Sequence, residues 1–439
     1  MPSDVLIVGG GVAGLTAALA AAEELDRISA GPASIELIEA GSSPGGAALL
    51  SAGSLWTFPD TVGYLARCTG ADEALAARTV AGHPATVRWL RDRGVEVTER
   101  GPSLYGVDAT FQLQPGQAVA RLTELVQARV TVSLGETVVE FVKSDAGFSA
   151  RTDAGRQVSA RTVVLATGGI HSDEDMLRAA GLDHYVALPV RNRRPGGNGV
   201  RLAVALGARL TGTSDGIYGH LVPAGVAGGE TVSPLAAQYQ SYAGVLIGLD
   251  GRLIAGPGRD DHDLNRIVAR EPQRGAVLFY DSTAAPPRIL KVVGGTSWAA
   301  DRAAFAREHG RRAAEADSLH GLLDAIAEWG LPTLDNEALA TLASVLLVPP
   351  FEAVAVEPSL THAGAGVAVD GSLEVEGADG IFAAGQDIGR GFGDGYGGGL
   401  SFAMTMGIAA GAGAARRAAG QDPRLAASDG AASASTLRS

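Results

Sequence analysis

Short apolar runs closed by glycine turns alternate along this chain with Ala/Leu-rich segments of helical period. The first, Asp4-Val5-Leu6-Ile7-Val8, is apolar without alternation and reads as a strand covered on both faces. Gly9-Gly10-Gly11-Val12-Ala13-Gly14 then turns into a helix to about Leu25, and a second strand, Ser34–Ile38, ends at Glu39. Residues 72–94 predict a helix with Leu75, Val80, Val87, Trp89 and Leu90 as its apolar face, followed by a short strand over Val95–Glu99. Tyr105–Leu113 suits a pocket wall, and Gln117–Gln127 a helix. Alternation in Thr131–Leu134, Val138–Val142, Phe148–Thr152 and Val158–Ala160 predicts a small antiparallel meander. It leads into a buried strand, Thr162–Ala166, closed by Thr167-Gly168-Gly169.

Past residue 185 the texture changes. Pro189, Pro195–Gly199 and a helix over Val200–Leu206 mark a hinge-like region. From Asp215 to Phe305 short apolar runs are separated by Gly, Pro and Asp with no second Gly-x-Gly-x-x-Gly, which reads as an inserted cap. Glu308–Trp329 predicts a helical segment, and Val354–Val356 and Val367–Val369 alternate. Gly380–Asp387 again has the form strand then glycine turn, and Leu400–Ala419 is an Ala-rich helix with a Met/Ile/Phe face. Residues 421–439 cannot form a core and are expected to be a disordered tail.

The glycines of the first turn have separate tasks. Gly9 allows the tight turn, Gly11 leaves room for a pyrophosphate, and Gly14 lets the helix pack on the strand. Helix N-terminal N–H groups and the helix dipole would hold the diphosphate, and Glu39 is placed to accept from an adenosine ribose. The order strand, turn, helix, strand, acid makes this a dinucleotide site. The loop with Ala40, Gly45, Gly46 and Ala47 suits close approach to a large flat ligand, and Thr167-Gly168 is a second place where backbone meets it.

Composition narrows the class. With 46% apolar and 19% charged residues in 439, the chain is long enough for two or three domains. A formal charge of -13 argues against nucleic-acid binding. Cys68, the single cysteine, excludes an intrachain disulfide, a Cys-based zinc site and an iron–sulfur cluster, and is expected to be an inert thiol. No transmembrane segment is expected, and the cytoplasm is the simplest compartment. The run Arg259-Asp260-Asp261-His262-Asp263 invites a metal reading, but consecutive side chains do not converge without a specific turn, so no metal is expected.

These stretches together resemble the flavoprotein family of fumarate reductases, succinate dehydrogenase flavoprotein subunits, 3-ketosteroid dehydrogenases and tricarballylate dehydrogenase. The resemblance rests on Asp4–Gly14, Glu39, Gly45-Gly46, Val163–Gly169, Gly196–Gly207, Leu278–Ser282, Pro350–Ala353, Gly380–Gly389 and Tyr396–Ser401. It implies an α/β fold: a Rossmann-like FAD-binding domain, central parallel sheet plus β-meander, with an inserted α+β capping domain. The boundaries read as 1–188 and 321–420 for the FAD-binding sections and 189–320 for the cap. FAD would lie on Gly9, Gly11, Val12, Ala13, Gly14 and Glu39, with Ala40 and Gly45–Ala47 beyond. Thr167, Gly168, Gly385, Gln386, Asp387, Gly399 and Leu400 complete the set, Gln386 or Asp387 bonding the ribityl chain. Gly397–Gly399 would present N–H groups to the pyrimidine edge, which gains negative charge on reduction. Covalently flavinylated members carry a histidine in the loop after the second strand. Gly45–Gly53 has none, so FAD is expected to be dissociable.

The resemblance also implies roles at the substrate. Arg259 matches the proton-donating arginine of fumarate reductases, and His220 and His362 their substrate-clamping histidines. Their second arginine falls here at Gly395, so the dicarboxylate clamp is incomplete. Tyr396-Gly397-Gly398-Gly399-Leu400 is instead similar to the Tyr-Pro-Gly segment of ketosteroid dehydrogenases, where the tyrosine polarises a carbonyl. Tyr242, with Tyr239 in reserve, would take the proton as hydride moves to the flavin. The expected reaction is introduction of a double bond beside a carbonyl. The alternative is reduction of an activated alkene with Arg259 as proton donor. A small-molecule substrate and an unidentified electron carrier are expected, for a monomer or homodimer.

Overall fold

The burial pattern of one long strand, Gln157–Leu165, shows how the first sheet is built. Its first half alternates exposed and buried positions, while Thr162–Leu165 is buried throughout. The alternating half pairs antiparallel with Gly147–Thr152, which pairs with Val138–Ser144. The continuous half lies between the parallel strands Ser3–Val8 and Ile381–Ala383. Antiparallel strands with one solvated face alternate, and parallel strands covered on both faces do not.

The computed structural model describes residues 2–29, 31–100, 110–188, 190–191, 196–226, 236–284, 289–292 and 298–424. Positions 105–109 of the expected pocket wall and 425–439 of the expected tail therefore lie outside the described residues. The chain divides into two compact units: Met1–Leu182 with Arg194–Gly216 and Ala363–Ser439, and Asp183–Arg193 with Ile217–His362. The boundary drawn at residue 320 from the sequence falls inside the second unit. Among the described residues no helix is long and apolar enough to cross a membrane.

In the first unit Ser3–Val8 pairs parallel with Ile35–Glu39, which pairs parallel with Thr131–Leu134. The last of these was expected in the meander. It lies instead at the parallel edge, because the helix Pro115–Gln127 before it makes the crossover that a parallel strand needs. The first helix, Val12–Ile28, packs on the last, Gly399–Ala418. The first is alanine-rich and the last rich in both glycine and alanine, because their backbones nearly touch. A Cβ at Gly407 would stand 2.5 Å from the Ala13 carbonyl oxygen, and one at Gly411 2.1 Å from that of Ala17. The helix Glu73–Asp92 starts where Asp72 accepts N–H bonds from Ala74 and Leu75. Cys68 is buried.

The second unit is a sheet with Phe351–Leu360 near its centre, paired to Ala276–Asp281 and, beyond it, Val245–Gly248 and Leu253–Ala255. Every residue of Ala276–Asp281 is buried, since both faces are covered. Leu246, Leu278, Tyr280, Val354 and Val356 pack with Leu264 and Val268 on one face. Their neighbours Val245, Ile247, Val277, Phe279 and Ala353 pack with Leu322, Ile326 and Leu342 on the other. The helical segment expected over Glu308–Trp329 is broken into Arg302–His309, a strand Ala313–Ala316 and Leu319–Ala327. That strand forms because Phe351–Leu360 offers it an antiparallel edge.

Candidate active site

The glycine turns of the first unit meet at one end of its parallel strands, where open α/β sheets bind ligands. Gly9, at φ 105°, sits so close to the next strand that a Cβ would lie 2.2 Å from the Ala166 carbonyl oxygen. A Cβ on Gly14 would stand 1.8 Å from the Gly9 oxygen. Gly11 is different. It has φ -67°, open to any residue, and its Cβ would meet nothing within 4 Å. Two glycines are thus required by packing, while the third faces clear space at a helix N-terminus. That is the clear space at a helix N-terminus that a pyrophosphate would need.

The same end carries the other cofactor candidates. Gly45 N–H donates to the Gly10 carbonyl at 2.8 Å, bringing the loop of Gly45, Gly46 and Ala47 beside the first turn. Glu39 accepts from Gly10 N–H at 2.5 Å and from Gly41 N–H at 2.7 Å, one bond on each carboxylate oxygen. Two bonds leave further lone pairs for ribose hydroxyls. Val12 and Ala13 are buried in the first helical turn, and Ala40 is exposed. Gly168, at φ 93°, faces open space. Gly385 approaches the first helix, a Cβ there meeting that of Ala13 at 3.1 Å.

Asp387 is fully buried. It accepts from Thr167 N–H at 2.5 Å, from the Thr167 hydroxyl at 2.9 Å and from Gly169 N–H at 2.8 Å. Burial raises its carboxyl above the ordinary value, against the pull of those bonds. These donors tie two glycine turns together and occupy Asp387 within the protein, while Gln386 beside it is half-buried.

Tyr396 lies at the start of the last helix. Its phenol oxygen accepts from Gly399 N–H at 2.8 Å, and its ring packs edge-on against Trp56 at 5.1 Å and on Phe392 at 5.4 Å. Leu400 is buried in the same turn.

The second unit gathers a different set. His220 Nδ1 donates to Asp261 Oδ2 at 2.6 Å, which leaves Nε2 as an acceptor in the neutral ring. Two phenols face that nitrogen, Tyr218 at 3.1 Å and Tyr239 at 3.4 Å. The Tyr218 ring lies 4.5 Å from His262 and stacks on His362 at 5.9 Å. The Arg302 guanidinium stands 4.4 Å over the Tyr239 ring. Burial pushes His220 below the ordinary imidazole value, opposed by Asp261, and pushes His362 down to about 4.

Local structure explains this convergence. Asp260 caps the helix Asp261–Arg270 by accepting His262 N–H at 2.8 Å, so Asp261, Asn265 and Val268 share the inward face. Asn265 clamps Ser359 by taking its N–H at 2.9 Å and donating to its carbonyl at 3.0 Å. The Ser359 hydroxyl donates to the His220 carbonyl at 2.7 Å. The capped turn is the one that lets Asp261 and His262 approach His220 together, their ligand atoms all within 4.8 Å. The sequence reading missed it. The 2.6 Å contact is a hydrogen bond and His262 Nδ1 donates to Gly219, so the group is a bonded dyad.

Of the substrate-site candidates, His220 and His362 are brought together through Tyr218. Tyr242 is 39% exposed and Arg259 is exposed before the cap Asp260; neither joins the cluster among the described contacts. Tyr218 and Arg302 were not singled out, and Asp261 and His262 were named only within the charged run Arg259–Asp263. Their one legible signal was Asp260 followed by an acidic first turn, which marks a helix start.

Residues 4–194 match the family model described as FAD dependent oxidoreductase. Among solved structures, 3-ketosteroid-Δ4-(5α)-dehydrogenase from Rhodococcus jostii RHA1 is similar at TM-score 0.68 and 19% identity, over 94% of this chain and 97% of that one. The 3-ketosteroid Δ1-dehydrogenase from Sterolibacterium denitrificans gives 0.69 and 15%, over 94% and 99%. A flavocytochrome c3 fumarate reductase gives 0.67 and 19%, over 95% and 78%. A search of curated proteins finds no match. Residues 4–194 are thus similar to FAD dependent oxidoreductases, and the chain has the fold of these enzymes.

Proposed function

We propose that this protein introduces a double bond beside a carbonyl in an apolar substrate. The observation that carries the reading is the bond from Gly399 N–H to the Tyr396 oxygen. That oxygen accepts from the backbone, and the phenol O–H is the group that would donate to a substrate carbonyl. It also sits at the N-terminus of a 20-residue helix, which favours negative charge developing there. FAD, when bound, accepts the hydride. The first unit would hold it through the Gly11 cradle and Glu39, with Gln386 as the ribityl partner.

A dicarboxylate is disfavoured by charge. A clamp at His220 would set a substrate carboxylate against Asp261, 2.6 Å from the imidazole, and the neutral ring supplies no compensating charge. The test is anaerobic mixing of the yellow protein with a panel of ketosteroids and of small carboxylic acids. Loss of the oxidised-flavin band with a saturated ketone, slowed roughly 10²-fold in Tyr396→Phe, supports desaturation. Bleaching by no donor, with rapid reoxidation of the dithionite-reduced protein by an activated alkene, sinks it and favours reduction with Arg259 as proton donor.

A further inference from the structure

We propose that Arg67 is the positioning residue of Tyr396, and that the glycine run before the last helix is a seam shaped to receive the segment that carries it. The inference rests on the desaturation reading for what Tyr396 does. Every contact it uses lies within the first unit.

Two stretches of that unit run along each other, positions 56–72 and 390–398. Asp72 N–H donates to the Arg390 carbonyl at 2.9 Å, and Asp394 N–H to the Thr69 carbonyl at 2.8 Å. The Tyr64 hydroxyl donates to the Gly391 carbonyl at 2.8 Å. Side chains on the glycine run would prevent this approach. A Cβ at Gly393 would stand 2.2 Å from the Thr69 oxygen, and one at Gly395 2.0 Å from that of Arg67. At Gly397 it would lie 2.7 Å from the Tyr64 ring. Gly397, expected to present its N–H to the flavin, is therefore also required by packing.

Tyr396 lies within this seam, between two glycines whose backbones have little stiffness of their own. An outside hold is needed, and Arg67 supplies it in two ways. Its Nε donates to the Tyr396 carbonyl at 3.0 Å. Its guanidinium carbon stands 5.3 Å from the centre of the Trp56 ring, within cation–π range, and Trp56 meets the Tyr396 ring edge-on at 5.1 Å. The residue is thus fixed by its backbone directly and by its ring through Trp56. Arg67 is itself held, because it closes the helix Thr61–Arg67. Asp60 starts that helix by accepting Gly63 N–H at 2.7 Å, and a cation in the last turn suits the helix dipole.

Position matters because a phenol polarises a carbonyl only at hydrogen-bond distance. A displacement of about 1 Å can cost roughly 10²-fold in rate. Arg67 acts through Tyr396, so its loss should slow chemistry and leave the cofactor in place.

The test uses the full chain with FAD. Flavin bleaching by a saturated ketone is measured in wild type, Arg67→Met, Arg67→Lys, Tyr396→Phe and the Arg67→Met/Tyr396→Phe double variant, with Arg67→Gln in place of Arg67→Met should the latter not fold. The same proteins, labelled with ring-13C tyrosine, are compared by NMR, the Tyr396 signal being the one missing from Tyr396→Phe. Arg67→Met should lower the limiting rate at least tenfold, with half-saturating ketone and flavin content at wild-type values. Arg67→Lys, which keeps a donor and the charge, should recover most of that loss. The double variant should be no slower than Tyr396→Phe, and the Tyr396 signal should move in Arg67→Met and return toward its place in Arg67→Lys. Additive losses, lost flavin or an unmoved Tyr396 signal would overturn the positioning role. Wild type bleached by no ketone sinks the desaturation reading, and the Tyr396 signal then decides the positioning role by itself.

Discussion

The two units recognise chemistry in opposite ways. The first builds its site from backbone: clear space at Gly11, N–H groups at helix starts, and glycines pressed on carbonyl oxygens. The second builds its cluster from side chains that arrive from separate segments around positions 218–220, 239, 261–262, 302 and 362. A backbone site is fixed by whether a side chain is absent. A side-chain cluster is fixed by rotamers and by hydrogen bonds behind them. The first should therefore fail through folding and cofactor loss, and the second through chemistry with the cofactor retained.

The sharpest test lies within the first turn. Gly14→Ala puts a methyl group 1.8 Å from the Gly9 oxygen, and overpacking of this kind costs roughly 1–3 kcal/mol or more. Purified protein should be colourless or insoluble. Gly11→Ala adds its methyl group to open space, so thermal unfolding of the FAD-free protein should change by no more than about 1 kcal/mol. FAD affinity, read by fluorescence titration, should nonetheless fall at least tenfold, taken as about 1.4 kcal/mol. Equal melting loss in both variants would remove the distinction between packing and cradle glycines.

Asp387→Asn comes next. It sets an amide among donors that now point at a carboxylate, at a cost of about 3 kcal/mol. Denaturant unfolding should shift by that amount, with weakened FAD. In the second unit, Asn265→Ala removes the clamp on Ser359 and should cost about 2 kcal/mol. Here the flavin-to-protein absorbance ratio should stay at the wild-type value while turnover drops. Loss of flavin instead would show that the two kinds of site fail together.

The smallest effect concerns His83, which is buried, and burial lowers it from 6.5 to about 4. A histidine whose folded-state value is lowered binds fewer protons than the unfolded chain between those values. Stability is then full above about 6.5 and is lost as the pH falls. From pH 6.5 to about 5.5 the loss should be about 1 kcal/mol, measured by urea unfolding, and His83→Leu should flatten it.

The legibility of the two units follows the same division. Gly9, Gly11 and Gly14 could be given separate tasks in advance because absence of a side chain is visible in the letters. Tyr396, framed by glycines, was picked out likewise. Thr131–Leu134 was misplaced since an alternating run says which face is wet and not which neighbour it pairs with. Asp261 was passed over as part of a charged run. Only the cap at Asp260 and the grip of Asn265 turn it inward.

The sequence by itself determined the dinucleotide turn, the flavin fold and the absence of a histidine for covalent attachment. Each depends on residues adjacent in the chain and on a backbone rule that holds wherever they occur. Tertiary structure alone decided that His220 is neutral, which tautomer it holds and which phenol faces it. Those properties depend on burial and on an aspartate 41 positions away, and no local pattern encodes either.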